Sequence, residues 1–295
     1  MIYIAFDKGY YKDEGLEVDL NPLPVPVVLQ SIATSQVAFG LANPDPTLFN
    51  ALDRGLDVKL LLALTRNQPG DAPAAFMVRK DLIDDGTYKS PKDLKGKKVA
   101  IPALQSQFYV NLFMQQDGLS ATDVELVNLN GPDIPAAFAS KTIDAAWNAE
   151  PGNTLAEGQG WAKAVKVTGD LLPGGVGAAL ALSPGFAKDQ PEAAQRFVIA
   201  TIRGMRDYYH SFIKKDVDKA PFVQIMIAHT PIKDAALYDK IGINRVEPNP
   251  NLDFTTWKTL QEYYVSIGLQ PRVVDPNQYV DASYSQRALD VLGRE

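Results

Sequence analysis

Ser90-Pro91-Lys92-Asp93-Leu94-Lys95-Gly96-Lys97-Lys98-Val99-Ala100-Ile101-Pro102, followed by Gln105-Ser106-Gln107-Phe108, describes a short capped helix, a buried strand and the amino end of a second helix. Ser90 is placed to cap, Pro91 takes the first helical position, Asp93 the reciprocal capping site, and Gly96 suits a left-handed exit. A strand that runs straight into a helix leaves the first N–H groups of that helix without partners inside it. Such a loop can receive a polar or anionic ligand group.

The same alternation extends outward in both directions. Residues 36–42, 58–64, 98–103, 124–129, 143–147 and 164–168 read as short apolar strands, with amphipathic helices over 47–54 and 108–116. Strand, helix, strand at this spacing predicts the α/β class, with parallel sheets covered by helices. Beyond Pro184 the pattern becomes almost wholly helical. Val198, Ile202, Met205, Tyr209 and Phe212 recur at helical spacing over 191–213, and Asp253 can cap a helix whose inner face is Trp257, Leu260, Tyr264 and Ile267 and whose stop is Gly268. These aromatic stripes read as core.

An internal echo points to two lobes. Ser35-Gln36-Val37-Ala38-Phe39-Gly40-Leu41-Ala42-Asn43-Pro44-Asp45-Pro46 and Lys141-Thr142-Ile143-Asp144-Ala145-Ala146-Trp147-Asn148-Ala149-Glu150-Pro151 share one plan: a helix end, a strand, then a polar loop with proline and a carboxylate. Each loop lies at the carboxyl end of a strand, where ligands sit in open α/β sheets.

Bulk properties narrow the function. At 295 residues the chain can bury two cores, and 46% apolar with 22% charged residues suits a globular protein. A net charge of −6 argues against a nucleic-acid partner, and the absence of cysteine excludes disulfides, thiolate metal sites and cysteine nucleophiles. No apolar run reaches the roughly 18 residues that span a bilayer. The two histidines, His210 and His229, are far apart in sequence and suggest no metal site, and no cofactor motif is present: Gly174-Gly175-Val176-Gly177 lacks the lysine of a phosphate loop and reads as a flexible approach to a hinge.

Four blocks in order carry a resemblance to a known family. They are residues 5–18, the Asp93-to-Val99 block, Ile143-Asp144-Ala145-Ala146-Trp147-Asn148-Ala149-Glu150-Pro151, and Tyr279-Val280-Asp281. Together they resemble the solute-binding proteins of ABC importers, in the branch for nitrate, sulfonates, taurine and thiamine-pyrimidine precursors. The resemblance implies a type II periplasmic-binding-protein fold with crossing strands near 75–79 and 176–182. Lobe I would hold residues 1–76 and 181–295, and lobe II residues 77–180. It also implies a small-molecule ligand held in a hinge cleft, an ABC permease and ATPase as partners, a monomer, and a periplasmic or extracytoplasmic location.

Three departures from the family pattern matter. Ser35 and Lys141 stand where glycine is usual, and Ala38 replaces a common aspartate, so these turns are expected to be built differently. Relatives begin with a strand ahead of the helix start at Tyr3, whereas only Met1 and Ile2 precede it here. We therefore expect a longer precursor, with a signal segment and that strand upstream, and a gap beside the central strands of the first sheet.

The candidate ligand residues fall in the loops. Asn43 and Asp45 occupy the first, although Asp45 can equally cap the following helix. Gln105, Ser106, Gln107 and Phe108 crowd one helix start. Trp147, Asn148 and Glu150 combine a ring, an amide and a carboxylate, which suits a planar polar ligand. Arg66 is the one basic residue in these loops and reads more readily as a solvated surface arginine. Amides, carboxylates and rings with so little positive charge favour a neutral or nitrogen-rich ring compound, whereas a sulfonate or nitrate receptor would bring arginine or lysine forks. An enzyme on the same scaffold is the competing class, but no paired acid and base can be read from the loops.

Overall fold

The computed structural model describes residues 1–23 and 25–295, and the side chains of Val25 and Pro26 lie outside that description. Among the described residues the strands are β1 (Phe39–Ala42), β2 (Lys59–Arg66), β3 (Ala74–Arg79), β4 (Lys98–Ile101), β5 (Glu125–Asn128), β6 (Ala145–Ala149), β7 (Ala162–Val167) and β8 (Val176–Leu182). The expected strands and helices are all present in this mixed α/β fold. The opening motif folds as read: Ser90 and Asp93 form a capping box around the turn Pro91–Leu94, and Gly96 leaves it at φ +71°.

The chain forms two units, residues 1–66, 175–233 and 245–295 in the first and residues 67–174 and 234–244 in the second. In the first, the sheet runs β1-β8-β2, with β8 antiparallel to both neighbours. These strands are contiguous, so the expected gap beside a central strand is not found among the described residues; β1 stands at the margin with one strand neighbour. Helix Pro191–Tyr208 buries Val198, Ile202 and Met205, and helix Thr255–Ser266 buries Trp257, Leu260 and Tyr264, as the stripes predicted. Ile267 does not join that face, because it lies past the helix end and is 36% exposed.

In the second unit the order is β5-β4-β6-β3-β7. β4 pairs in parallel with β5 and β6, whereas β3 pairs antiparallel with β6 and β7. The first sheet therefore pairs only antiparallel and the second is mixed, because β8 and β3 enter against the direction of their neighbours. One face of the second sheet carries Ala75, Met77, Ala100 and Ala146 packed on Ile134 and Phe138. Phe76 points to the other face and stacks on Phe113 of helix Ser106–Met114 at 4.0 Å.

Four further expectations need revising. The units divide at 66/67 and 174/175, and not at 76/77 and 180/181. β3 pairs along its length with β6 and β7, and β8 with β1 and β2, so each strand belongs wholly to one sheet. The last third is less helical than its periodicity suggested: residues 240–254 hold no helix, where Pro248, Pro250 and Gly242 interrupt the pattern, and residues 234–244 join the second unit. Finally, Ser35 and Lys141 both adopt φ +57°, so the turns keep the left-handed conformation that glycine would favour, carried by residues with side chains.

Candidate functional site

Strand alternation splits the second-unit loop. Successive side chains on β6 point to opposite faces, so Trp147, paired with Phe76, lies on the side of helix Ser106–Met114, while Asn148, paired with Ala75, lies on the other. Trp147 is 5% exposed and stacks on Tyr109 with ring centroids 4.4 Å apart and planes 1° from parallel. Burial pushes the Tyr109 hydroxyl up to about 12. Tyr109 was not among the residues singled out in the sequence, whereas its neighbour Phe108 was; only the fold shows which of the two meets Trp147.

Asn148, near the carboxyl end of β6, is packed closely against Gly152. It is 3% exposed, and among the described residues its side-chain amide has no hydrogen-bond partner. Its backbone oxygen accepts from Asn153 Nδ2 at 2.9 Å. Glu150 is occupied otherwise: Oε2 accepts from Thr154 N at 3.0 Å, capping helix Gly152–Gly158, and Oε1 accepts from Thr154 Oγ1 at 3.0 Å and from Gly242 N at 3.1 Å. The carboxylate thereby ties residues 234–244 to the second unit. The three residues expected to act together are thus a packed ring, a buried amide and a structural cap.

At the helix start beside β4, the first N–H groups are not open. Ser106 N, Gln107 N and Phe108 N donate to the oxygens of Ala103, Leu104 and Gln105 at 3.0, 3.1 and 3.1 Å, because residues 103–105 already turn. Phe108 is core, edge-on to Tyr109 at 5.3 Å. Gln105 and Gln107 are half-buried, and the buried Ser106 hydroxyl has no hydrogen-bond partner among the described residues.

The first-unit loop is built around a cap. Asp45 precedes helix Pro46–Asp53, and its Oδ1 accepts from Leu48 N at 2.9 Å. Burial raises its pKa above the usual 3.8, opposed by hydrogen bonds from Leu48 and Thr47. Tyr264 donates to the Pro44 oxygen at 3.2 Å, which anchors the loop to helix Thr255–Ser266. Asn43 is half-buried, and its side chain has no hydrogen-bond partner among the described residues. Arg66 is neither a solvated surface group nor aimed at this loop. It donates to Asn251 Oδ1 and to the Asp253 oxygen at 2.8 Å, with Glu247 Oε2 3.7 Å from Nε, and so holds the non-helical segment.

The connectors into and out of the second unit went unnoticed in the sequence. Gly174 N donates to the Asn67 oxygen at 2.8 Å, Gly169 N to the Asp71 oxygen at 2.9 Å, and Gly70 N to Asp170 Oδ1 at 2.9 Å. A Cβ on Gly169 would stand 1.9 Å from the Gln68 oxygen, so the approach requires glycine. These two of the four passages between units therefore run side by side, a relation between residues about a hundred positions apart in the chain that no local pattern announces.

Comparison with known proteins gives a consistent picture. The family described as NMT1/THI5 like matches residues 1–211. The chain is 29% identical over 210 residues to the riboflavin-binding protein RibY of Chloroflexus aurantiacus, an alignment that covers 70% of this chain and 57% of that protein's length. A putative binding protein of Brucella abortus is 24% identical over 288 residues, covering 95% and 86%. The taurine-binding periplasmic protein of Escherichia coli is 26% identical over 209 residues, covering 68% and 61%. Among solved structures, the periplasmic aliphatic sulphonate binding protein SsuA from Escherichia coli superposes with a TM-score of 0.74 at 18% identity, covering 95% and 88%. The desulfurization enzyme DszB superposes with 0.72 at 18%, covering 99% and 96%. The periplasmic-binding-protein fold is thus shared with binding proteins and with an enzyme.

Proposed function

The chain belongs to the NMT1/THI5-like family, and from that premise we propose that it is an extracytoplasmic solute receptor of an ABC importer. It acts as a monomer, takes a small, neutral, ring-containing molecule between its two units, closes by a hinge, and presents the closed form to a membrane permease driven by an ATPase. The observation that carries this reading is the pair of adjacent connectors, Asn67 to Gly174 and Asp71 to Gly169, linking two separately cored α/β units. A hinge is a few residues between units that absorb the change in backbone angles, and adjacent segments such as these suit that role. The relatives named as binding proteins, one of them periplasmic, support the same assignment.

Closure is a population shift, and the ligand drives it by contacting both units in the closed state. Micromolar affinity needs about −8 kcal/mol, which a stacked or buried ring and several hydrogen bonds can provide. The site residues proposed to contribute are Asn43 on the first unit and Gln105, Ser106, Gln107 and Asn148 on the second. Acid–base catalysis needs a carboxyl group free to meet substrate, and both candidate carboxylates, Asp45 and Glu150, are engaged in helix caps. On this reading the ligand is released unchanged.

The test is mass spectrometry of small molecules liberated by denaturing the purified protein, followed by small-angle X-ray scattering with the recovered compound added back. The expected result is one recurrent low-mass compound, recovered intact after prolonged incubation, that reduces the radius of gyration. Conversion of that compound into a product would overturn the receptor reading in favour of an enzyme.

A further inference from the structure

Resting on that receptor reading, we propose that residues 242–245 form a third hinge segment, seated on the second unit by Gly242, that restrains how freely the two units turn. The chain passes between the units four times, at 66/67, 174/175, 233/234 and 244/245. The bond from Gly174 N to the Asn67 oxygen pairs the first two passages, and the last joins them, because Arg66 N donates to the Arg245 oxygen at 3.0 Å. Beyond Arg245 the chain is held in the first unit, where Ala63 N donates to the Asn251 oxygen at 3.2 Å and the Arg66 side chain binds Asn251 and Asp253. Three passages are therefore gathered at Arg66 and Asn67.

The other end of the segment is fastened to the second unit. Gly242 N donates to Glu150 Oε1 at 3.1 Å. A Cβ built on Gly242 would stand 1.9 Å from the Ala72 oxygen and 2.5 Å from the Ala72 carbonyl carbon, so backbone lies directly on backbone and any side chain would lift the segment. Ala72 follows Asp71, whose oxygen accepts from Gly169 N at 2.9 Å, and precedes Pro73, whose oxygen accepts from Glu150 N at 3.0 Å. Gly242 thus rests on the stretch that carries the first passage into the second unit.

Anchors this close leave few residues to bend. Between Gly242 and Arg245 lie only Ile243 and Asn244. In the second passage only Gly175 separates Gly174, bound to Asn67, from Val176, whose oxygen accepts from Trp257 Nε1 at 3.0 Å. A hinge works through a few residues that absorb the change in backbone angles, and a short chain between fixed ends has little slack with which to do so. The third segment therefore adds a restraint that the ligand overcomes when it shifts the population toward the closed form.

Double electron–electron resonance between two spin labels tests this on the full chain without ligand. The sequence has no cysteine, so Lys188→Cys on the first unit and Lys92→Cys on the second, both at exposed positions, take the labels without competition. The labelled protein is compared with two variants of itself: insertion of Gly-Gly between Ile243 and Asn244, which slackens the segment and keeps both anchors, and Gly242→Val, which unseats it. Each should widen the distribution of label distances by about twofold, with thermal melting confirming that each variant folds. A width unchanged by the insertion overturns the third hinge segment. A width changed by the insertion and not by a folded Gly242→Val overturns Gly242 as its seat. The insertion decides the matter by itself if Gly242→Val does not fold. Neither width bears on whether the recovered compound is bound and released intact, so the receptor reading stands or falls separately, on that compound.

Discussion

The loops after β1 and β6 are written on the same plan and are used differently. Both follow a left-handed turn at φ +57°, at Ser35 and Lys141, and both place a carboxylate on the N–H of the third residue of the next helix. Asp45, immediately before its helix, reaches Leu48 N at 2.9 Å, and Glu150, one residue further upstream, reaches Thr154 N at 3.0 Å with its extra methylene. They part over what surrounds the cap. Leu41, which matches Trp147 in the echo, is 47% exposed, whereas Trp147 is sealed against Tyr109. Repeated local chemistry therefore marks a repeated piece of backbone.

The largest expected difference comes from the ring. Trp147→Ala should lower unfolding stability by about 3–5 kcal/mol through lost burial and a cavity, while Leu41→Ala should fall within about 0.5 kcal/mol. Urea unfolding followed by circular dichroism measures both. Equal losses would show that the two loops are packed alike.

The caps give the next contrast. Asp45→Ala removes one helix cap and should cost about 1 kcal/mol. Glu150→Ala also leaves Thr154 Oγ1 and Gly242 N without their charged acceptor, and should cost about 2–3 kcal/mol. Urea titration of the two variants side by side gives the difference, and equal values would mean that the tie to Gly242 adds nothing to stability.

A smaller effect is expected at the turns. Lys141→Gly relieves a left-handed residue at a gain of about 1 kcal/mol or less, because it also gives up the exposed ion pair with Asp81, which contributes little. Ser35→Gly should gain less, since Ser35 Oγ accepts from Gly185 N at 3.2 Å. Thermal melting that ranks the two in the opposite order would break the equivalence of the turns.

The smallest effect is a pH slope confined to the first loop. Burial raises the Asp45 pKa above 3.8, so the folded state holds that proton more tightly than the unfolded chain. Its contribution to stability is therefore fully present below pH 3.8 and is lost as pH rises through the folded pKa. Asp45→Asn keeps a good capping residue and should flatten that part of the stability profile. Urea midpoints measured upward from pH 3 test this; a profile unchanged by the substitution would remove Asp45 as its source.

Much of the fold could be read from spacing alone. The short apolar runs became strands, and the capping box at Ser90 and Asp93 and the buried faces at Val198 and Trp257 folded as read. Strand direction was misjudged because a short apolar run looks the same whichever way it pairs. The candidate site was legible as a set of loops, and less so as a set of roles. Asp45, Glu150 and Arg66 have the right chemistry for a ligand, and each is committed to backbone or side chains that the sequence does not place nearby, in the case of Arg66 to Asn251 and Asp253.

From residue order come the α/β class, the twin loops, the helix boundaries and the exclusion of cysteine chemistry, since each depends on neighbours within a few positions. Tertiary structure alone determined that Trp147 and Asn148 face opposite ways onto different layers, that Gly242 returns to Glu150, and that Asn67 meets Gly174. The physical reason is that a hydrogen-bonding group is claimed by whichever partner the folded chain brings within reach, and that partner is often a hundred residues away.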